Sequence, residues 1–368
     1  MPVFSPASRF TEFVYRYTRL IHSVKLGLAL LIATLLNWLW PLPHFLWTLV
    51  TIVIIMMHLP QVGRTMEKSL QRAVGTIFGA AYGVLLIACF TDDRIIMALM
   101  IIAVMVLCYL AAGRFSYAYL VAGFTMIIVI GDSNHDTYEA VWRTLNILLG
   151  CAIAMAISLL VLPIKAKLDW RHQLSHSLHL MTKILAKQLA LDIVNEHECG
   201  TELSKINHCI LAQRNLFFSL GWESLTLRQQ MPLLAKLADK QNRMVTLLAL
   251  LSQSRLDENG AVLYADLAPK VNHVAMGVIA QLHELNQYIN GQVGDLSLFS
   301  VDLVADIRLL MAAHQLDAES IDSESYGYYW SIYQITNVIE CMYTQIVAIA
   351  ASYGKVDVVR SSIKPTLN

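Results

Sequence analysis

The sequence predicts an all-α protein in two parts: a six-helix transmembrane domain over residues 1–163, then a cytoplasmic helical bundle over 164–368. Three observations carry this. Residues 20–163 are almost uncharged, whereas 164–368 look like an ordinary soluble helical protein. The first stretch falls into six apolar runs, and about 20 apolar residues suffice to cross the hydrocarbon core as a helix. The second stretch places apolar residues three and four apart, the mark of helices with one buried face. The chain as a whole is 15% charged with a mean hydropathy of +0.53, against about 25% charge in soluble domains.

Residues 1–20 read as a cytoplasmic lead-in. The runs that follow are 24–40, 45–59, 73–90, 95–112, 117–130 and 145–162. The second and fifth reach only about 22 Å at 1.5 Å per residue, short of a ~30 Å core. The first lacks a small-residue cleavage site and is followed by Trp40-Pro41-Leu42-Pro43, so it is retained as a span rather than removed as a signal peptide. Basic residues set the orientation. Arg16, Arg19 and Lys25 precede the first run, and Arg64, Lys68 and Arg72 separate the second and third. Arg114 separates the fourth and fifth, and Lys165, Lys167 and Arg171 follow the sixth. Alternating spans put all of these on one side, opposite Asp92, Asp93 and the acidic loop 131–136. Both termini are therefore expected in the cytoplasm. Trp38, Trp40, Trp47 and Trp142 suit interfacial anchors.

After Pro163 the stripes run through Trp170, Leu174, Leu178, Met181 and Leu185, then Val271, Ala275, Val278, Leu282, Leu285 and Ile289. Tyr328, Ile332, Ile335, Ile339, Met342 and Ile346 repeat the pattern. Breaks are expected near Cys199-Gly200, Gly221, 257–260, 291–294 and 322–325, giving five to seven helices around a core of their own.

Several chemistries lack their motifs. There is no phosphate loop, no dinucleotide fingerprint, no GxSxG and no HExxH, so neither an enzyme nor a bound cofactor is expected. Zero net charge and no basic patch interleaved with aromatics leave no nucleic-acid partner. Six cysteines without a CxxC pair fit a reducing compartment rather than a disulfide framework. His172, His176 and His179 share a helix. They read either as a metal or pH site or as a solvated face opposite the Trp170 stripe, and the solvated face is preferred. His197, Cys199, His208 and Cys209 could converge across a turn, but they lack a four-ligand spacing signature, and no metal site is assigned.

The segment 71–90, QRAVGTIFGAAYGVLLIACF, organises the chain. Gly75, Gly79 and Gly83 lie four apart on one helical face, where missing side chains let a neighbouring backbone approach. Arg72 precedes Gly79 by seven residues, and Arg143 precedes Gly150 by seven. With three spans per half, the two short spans occupy matching places, a weak internal repeat of inverted topology of the kind that marks a transport site. Arg72 and Arg143 each stand at the start of a span. Two readings are open for them: receiving a carboxylate at either mouth, or snorkelling to lipid phosphates and pairing with Glu67 and Glu139.

These residues also carry a resemblance. Pro43-x-x-x-Trp47-Thr48-Leu49-Val50-Thr51, then Arg72-x-x-Gly75-Thr76-x-x-Gly79, then Arg143 and Gly150 resemble the fusaric-acid-resistance-like superfamily. The whole layout is similar to its single-unit bacterial inner-membrane members. The resemblance implies an inner-membrane exporter of aromatic or other organic acids, with Trp47, Thr51, Arg72, Thr76 and Arg143 as candidate substrate path. It also implies a homodimer, since many relatives duplicate the six-span unit. Plant malate channels have a similar layout, which implies a passive anion channel instead. No acidic residue falls in mid-membrane, a departure from a proton-relay arrangement. A third reading, from another class, is a non-transporting scaffold whose cytoplasmic bundle binds an unknown protein partner. The lipid bilayer is a partner in all three.

Overall fold

The computed structural model describes residues 9–57, 61–113, 115–131, 137–189, 196–253, 268–292, 296 and 323–351. Arg114, the loop 132–136 and the expected breaks at 257–260 and near 322 lie outside them. The described residues are all-helical, and they divide into two units, 9–166 and Lys167 onward.

The first unit holds α1 (Arg9–Arg16), α2 (Thr18–Leu39), α3 (Leu46–Met56), α4 (Val62–Cys89), α5 (Asp93–Leu110), α6 (Ser116–Ile130) and α7 (Thr137–Leu160). The six apolar runs correspond to α2 through α7. Two boundaries differ from the sequence reading in a way that matters. Helix α4 begins ten residues before Arg72 and α7 six before Arg143. Polar turns ahead of each apolar run continue the helix, so neither arginine stands at a helix start. Their backbone N–H groups belong to the helix ladder and the macrodipole argument for them fails. Likewise α2 begins at Thr18, which places Lys25 inside the helix and buries it.

Helix α3 is the shortest of the six at 11 residues, about 16 Å long. The turn before it is tight: His44 adopts φ 58, a left-handed backbone uncommon for a side-chain-bearing residue. The Asn37 carboxamide oxygen accepts from the Leu42 N–H at 3.0 Å, which fixes the approach to that turn. At the start of α5, the Asp92 side chain caps the helix by accepting from the Arg94 N–H.

The long helices grip the short ones of the opposite half. On α4, an added Cβ at Gly75 would fall within 3.0 Å of the Ala118 carbonyl oxygen, and one at Gly79 within 3.0 Å of the Ala122 carbonyl oxygen, both on α6. At Gly83 it would meet Val129 Cγ1 at 2.9 Å. On α7, a Cβ at Gly150 would stand 2.7 Å from the Thr48 carbonyl oxygen and 2.8 Å from Thr51 Cβ, both on α3. Glycine is what permits these approaches. A core of Ala29, Ala33, Ile52, Ile55, Met56, Ile147, Cys151, Ala154 and Ile157 joins α2, α3 and α7.

The second unit carries α8 (Ala166–Leu189, whose first residue falls in the first unit), α9 (Glu196–Glu223), α10 (Leu225–Gln229), α11 (Met231–Gln253), α12 (Ala268–Ile289) and α13 (Ser323–Ala351). The stripe residues Trp170, Leu174, Leu178, Met181 and Leu185 are buried, as are Ala275, Val278, Leu282, Leu285 and Ile289, and Ile332, Ile335, Ile339, Met342 and Ile346. No break falls at Gly200, which sits inside α9, and that helix ends beyond Gly221, where Ser224 caps α10. A single glycine weakens a helix by about 1 kcal/mol without ending it. Inside this unit Gln213 and Gln241 exchange hydrogen bonds at 3.0 Å, and the Ser177 hydroxyl donates to Gln241 at 2.7 Å. This buried, mutually satisfied network ties α8, α9 and α11 in register.

Candidate functional site

The first unit has its polarity reversed relative to a soluble protein. Its outer faces present Leu35, Phe78, Ile101, Met105, Leu120 and Leu159, while Thr48, Thr51, Thr76, Thr125 and Asn146 are buried. The buried polar side chains collect where α3, α4, α6 and α7 meet.

Arg72 is the centre of this arrangement. It is 5% exposed. Its Nε donates to the Thr51 hydroxyl at 3.3 Å and its Nη1 to the Tyr117 hydroxyl at 3.1 Å. Both partners are neutral, and no carboxylate among the described residues pairs with it. Glu67, one candidate partner in the sequence, accepts from Gln71 at 3.3 Å. Thr76, one turn beyond Arg72 on α4, is fully buried and its hydroxyl has no hydrogen-bond partner. A guanidinium held by two hydroxyls keeps donors to spare, because it carries five N–H groups.

Arg143 is built differently. Its Nη2 lies 3.9 Å from Glu139 Oε2, one turn earlier on α7. Its Nη1 donates to the Ile128 carbonyl at 3.4 Å, and the guanidinium lies 5.3 Å from the centre of the Trp47 ring. Glu139 also approaches His44 at 4.0 Å. Pairing with Glu139, one of the contacts expected for Arg143, is present.

The two arginines nevertheless share a plan. Each leaves a long helix and touches both short ones: Arg72 reaches Thr51 on α3 and Tyr117 on α6, and Arg143 reaches Trp47 on α3 and Ile128 on α6. Trp47 and Tyr117 are each the second residue of their short helix. The site thus brings together Arg72 and Thr51, and Arg143 and Trp47, as separate pairs; Thr76 lies with the first.

Two contributors were not singled out from sequence. Tyr117 gave no signal, being one aromatic at the edge of an apolar run. Asn146 did give one, as a lone amide within the sixth run. It is 2% exposed, its Nδ2 donates to the Pro43 carbonyl at 2.7 Å and the Trp142 carbonyl at 2.8 Å, and the Thr48 hydroxyl sits 3.0 Å from its side-chain oxygen. It clamps the tight turn and the start of α3 onto α7.

The ligand-like groups of the second unit do not assemble. Among the described residues no three His, Cys, Asp or Glu side chains are placed to hold a metal ion. His176 and His179 are exposed, while His172 is half-buried. Cys199, His208 and Cys209 all lie on α9, with the cysteines buried and His208 exposed, so they do not converge across a turn.

Four helices, Thr18–Leu39, Val62–Cys89, Asp93–Leu110 and Thr137–Leu160, are long and apolar enough to cross a membrane, with Leu46–Met56 and Ser116–Ile130 as shorter apolar helices between them. An apolar exterior around a polar interior that holds a cation defines a membrane protein with a polar core. The chain belongs to the fusaric acid resistance protein family, whose sequence model matches residues 19–317. It is 24% identical over 344 residues to the inner membrane protein YeeA of Escherichia coli (strain K12), an alignment covering 91% of this chain and 95% of that protein.

Proposed function

We propose that the chain is an inner-membrane secondary transporter that exports organic, aromatic carboxylic acid anions. Six spans precede a cytoplasmic helical bundle, both termini lie in the cytoplasm, and the working unit is a homodimer. It carries its solute without enzymatic chemistry. The name of the Escherichia coli relative supports the location, and the family description supports a role in handling an organic acid.

The observation that carries the reading is Arg72. A charged arginine within a span costs about 3 kcal/mol on insertion scales, and removing its charge from water is repaid only by a good counter-charge. Among the described residues no counter-charge meets it: its partners are the Thr51 and Tyr117 hydroxyls, and Thr76, one turn along α4, has an unpartnered hydroxyl. A carboxylate solute completes such a site: the planar guanidinium fork matches its two oxygens, and the hydroxyls take what remains.

The test is uptake of labelled 4-hydroxybenzoate into everted membrane vesicles. Wild-type protein raises uptake, and Arg72→Ala abolishes the increase at unchanged membrane abundance. Wild-type uptake in the Arg72→Ala protein would sink the substrate role. Flux that persists after collapse of the proton gradient assigns the same residues to a passive channel.

A further inference from the structure

Arg72 has company. The C-terminal end of α3 is surrounded by basic side chains from two other helices. From α2, His22 Nε2 donates to the Met56 carbonyl, and Lys25 follows three residues later on the same helix face. From α4, Lys68 Nζ donates to the Ile54 carbonyl at 2.8 Å and lies 5.2 Å from the centre of the Tyr117 ring. Arg72, one turn further, binds Thr51 and Tyr117. Carbonyls without partners at a helix C-terminus attract N–H donors and cations; His22 answers to that rule as a ring donor and Lys68 as a cation. Lys25 does not.

Lys25 is 1% exposed, and its ammonium has no hydrogen-bond partner among the described residues. Among the described residues, Glu139 pairs with His44 and Arg143, and no carboxylate pairs with Lys25, Lys68 or Arg72. One turn along α2 from Lys25, Ala29 packs with Ile52, Ile55, Met56 and Cys151, and Ala73, the neighbour of Arg72, lies against the same cluster. Lys25 thus lies between His22 and Ala29 on the face of α2 that meets α3, and Arg72 meets α3 at Thr51. An ammonium needs three acceptors, and a buried one without any is among the least favourable groups a protein can hold.

We infer that Lys25 is the second cationic contact of an anion-binding site at the C-terminal end of α3, with Arg72 the first, and that its ligand is a small organic carboxylate. This rests on the transport reading of Arg72. The guanidinium supplies the planar fork and the ammonium a second, compact charge. The near-complete burial of Lys25 sets it apart from lysines that meet lipid phosphate at a membrane surface.

Calorimetric binding of 4-hydroxybenzoate to the full-length protein in phosphatidylcholine nanodiscs tests this, with Tm recorded for each variant. Lys25→Met fills the same space without charge, so it weakens binding by about tenfold or more, the value of a lost charged contact, while Tm holds or rises. Lys25→Arg retains binding. Lys25→Gln gives the same comparison if Lys25→Met yields no folded protein. Wild-type affinity in the neutral variants overturns the inference, as does loss of the fold in both, which makes the ammonium structural. A neutral-variant effect seen only after phosphatidylglycerol is added assigns Lys25 to lipid phosphate and also overturns it. Vesicle uptake separates the two levels of argument. Wild-type flux in Lys25→Met with flux lost in Arg72→Ala removes Lys25 alone. Lys25-dependent binding without any wild-type flux removes transport and leaves the site.

Discussion

The guanidinium of Arg72 is answered only by hydroxyls, whereas that of Arg143 has Glu139 at 3.9 Å and the Trp47 face at 5.3 Å. This asymmetry makes a prediction at the level of single side chains. Lysine keeps the charge and loses the fork, so Arg72→Lys impairs 4-hydroxybenzoate uptake strongly, by about tenfold if one bidentate contact is lost. Arg143→Lys impairs it less, because its ion pair with Glu139 survives the substitution. Equal losses in the two variants, at matched abundance, would contradict the distinction. The sequence made both arginines conspicuous, since charges stand out in apolar surroundings. It could not separate them, because the difference lies in which residues of α3 and α6 reach each one. Lys25 was visible too, but near the edge of an apolar run it read as an orientation signal. Its burial follows from α2 starting at Thr18 and from α3 and α7 covering that face, which no local pattern records.

Among the helices, apolar length was the legible quantity. All six runs are helices, and the two short ones were recognisable as short. Their polar beginnings were not, because amphipathic turns such as those holding Arg64, Glu67 and Lys68 resemble a loop in hydropathy. The spacing of Gly75, Gly79 and Gly83 marked a packing ridge, yet only the fold names α6 as the partner. Contact distances now rank the glycines. Gly79→Ala drives a methyl into the Ala122 backbone, an overpacking that costs about 1–3 kcal/mol, and it lowers the Tm in detergent. Gly27, on α2, has nothing within 4 Å of an added Cβ, so Gly27→Ala is neutral or stabilising by up to about 1 kcal/mol. A Gly79→Ala protein with unchanged Tm and yield would remove the close approach of α4 to α6.

For the molecule as a whole, the reversed polarity of the first unit and the buried stripes of the second are what composition anticipated. Orientation in the membrane is an experimental question with a direct answer. In a cysteine-free background, cysteine at the exposed Thr91, between α4 and α5, labels with a membrane-impermeant maleimide in intact cells. Cysteine at the exposed Ser204 of α9 labels only after permeabilisation. Labelling of Ser204→Cys in intact cells would place the second unit outside the cytoplasm. Helix α5 buries Ile96 and turns Ile101, Met105 and Tyr109 outward, leaving apolar surface for lipid or a second copy. Crosslinking in native membranes that yields only monomer, at several linker lengths, would exclude the homodimer.

The grip of α7 on α3 bears on how the chain is made. Thr48 and Asn146 meet across 98 residues, so α3 emerges from the ribosome four helices before the partner that covers its polar face. A helix of 11 residues is too short to settle in a bilayer on its own. Until α7 arrives, α3 depends on its hairpin with α2 and on Lys68 and Arg72 of α4. Chains that stop before Thr137 leave Thr48 and the tight turn at His44 without the Asn146 clamp. Assembly of the polar face of α3 is thus completed only by the last helix of the first unit.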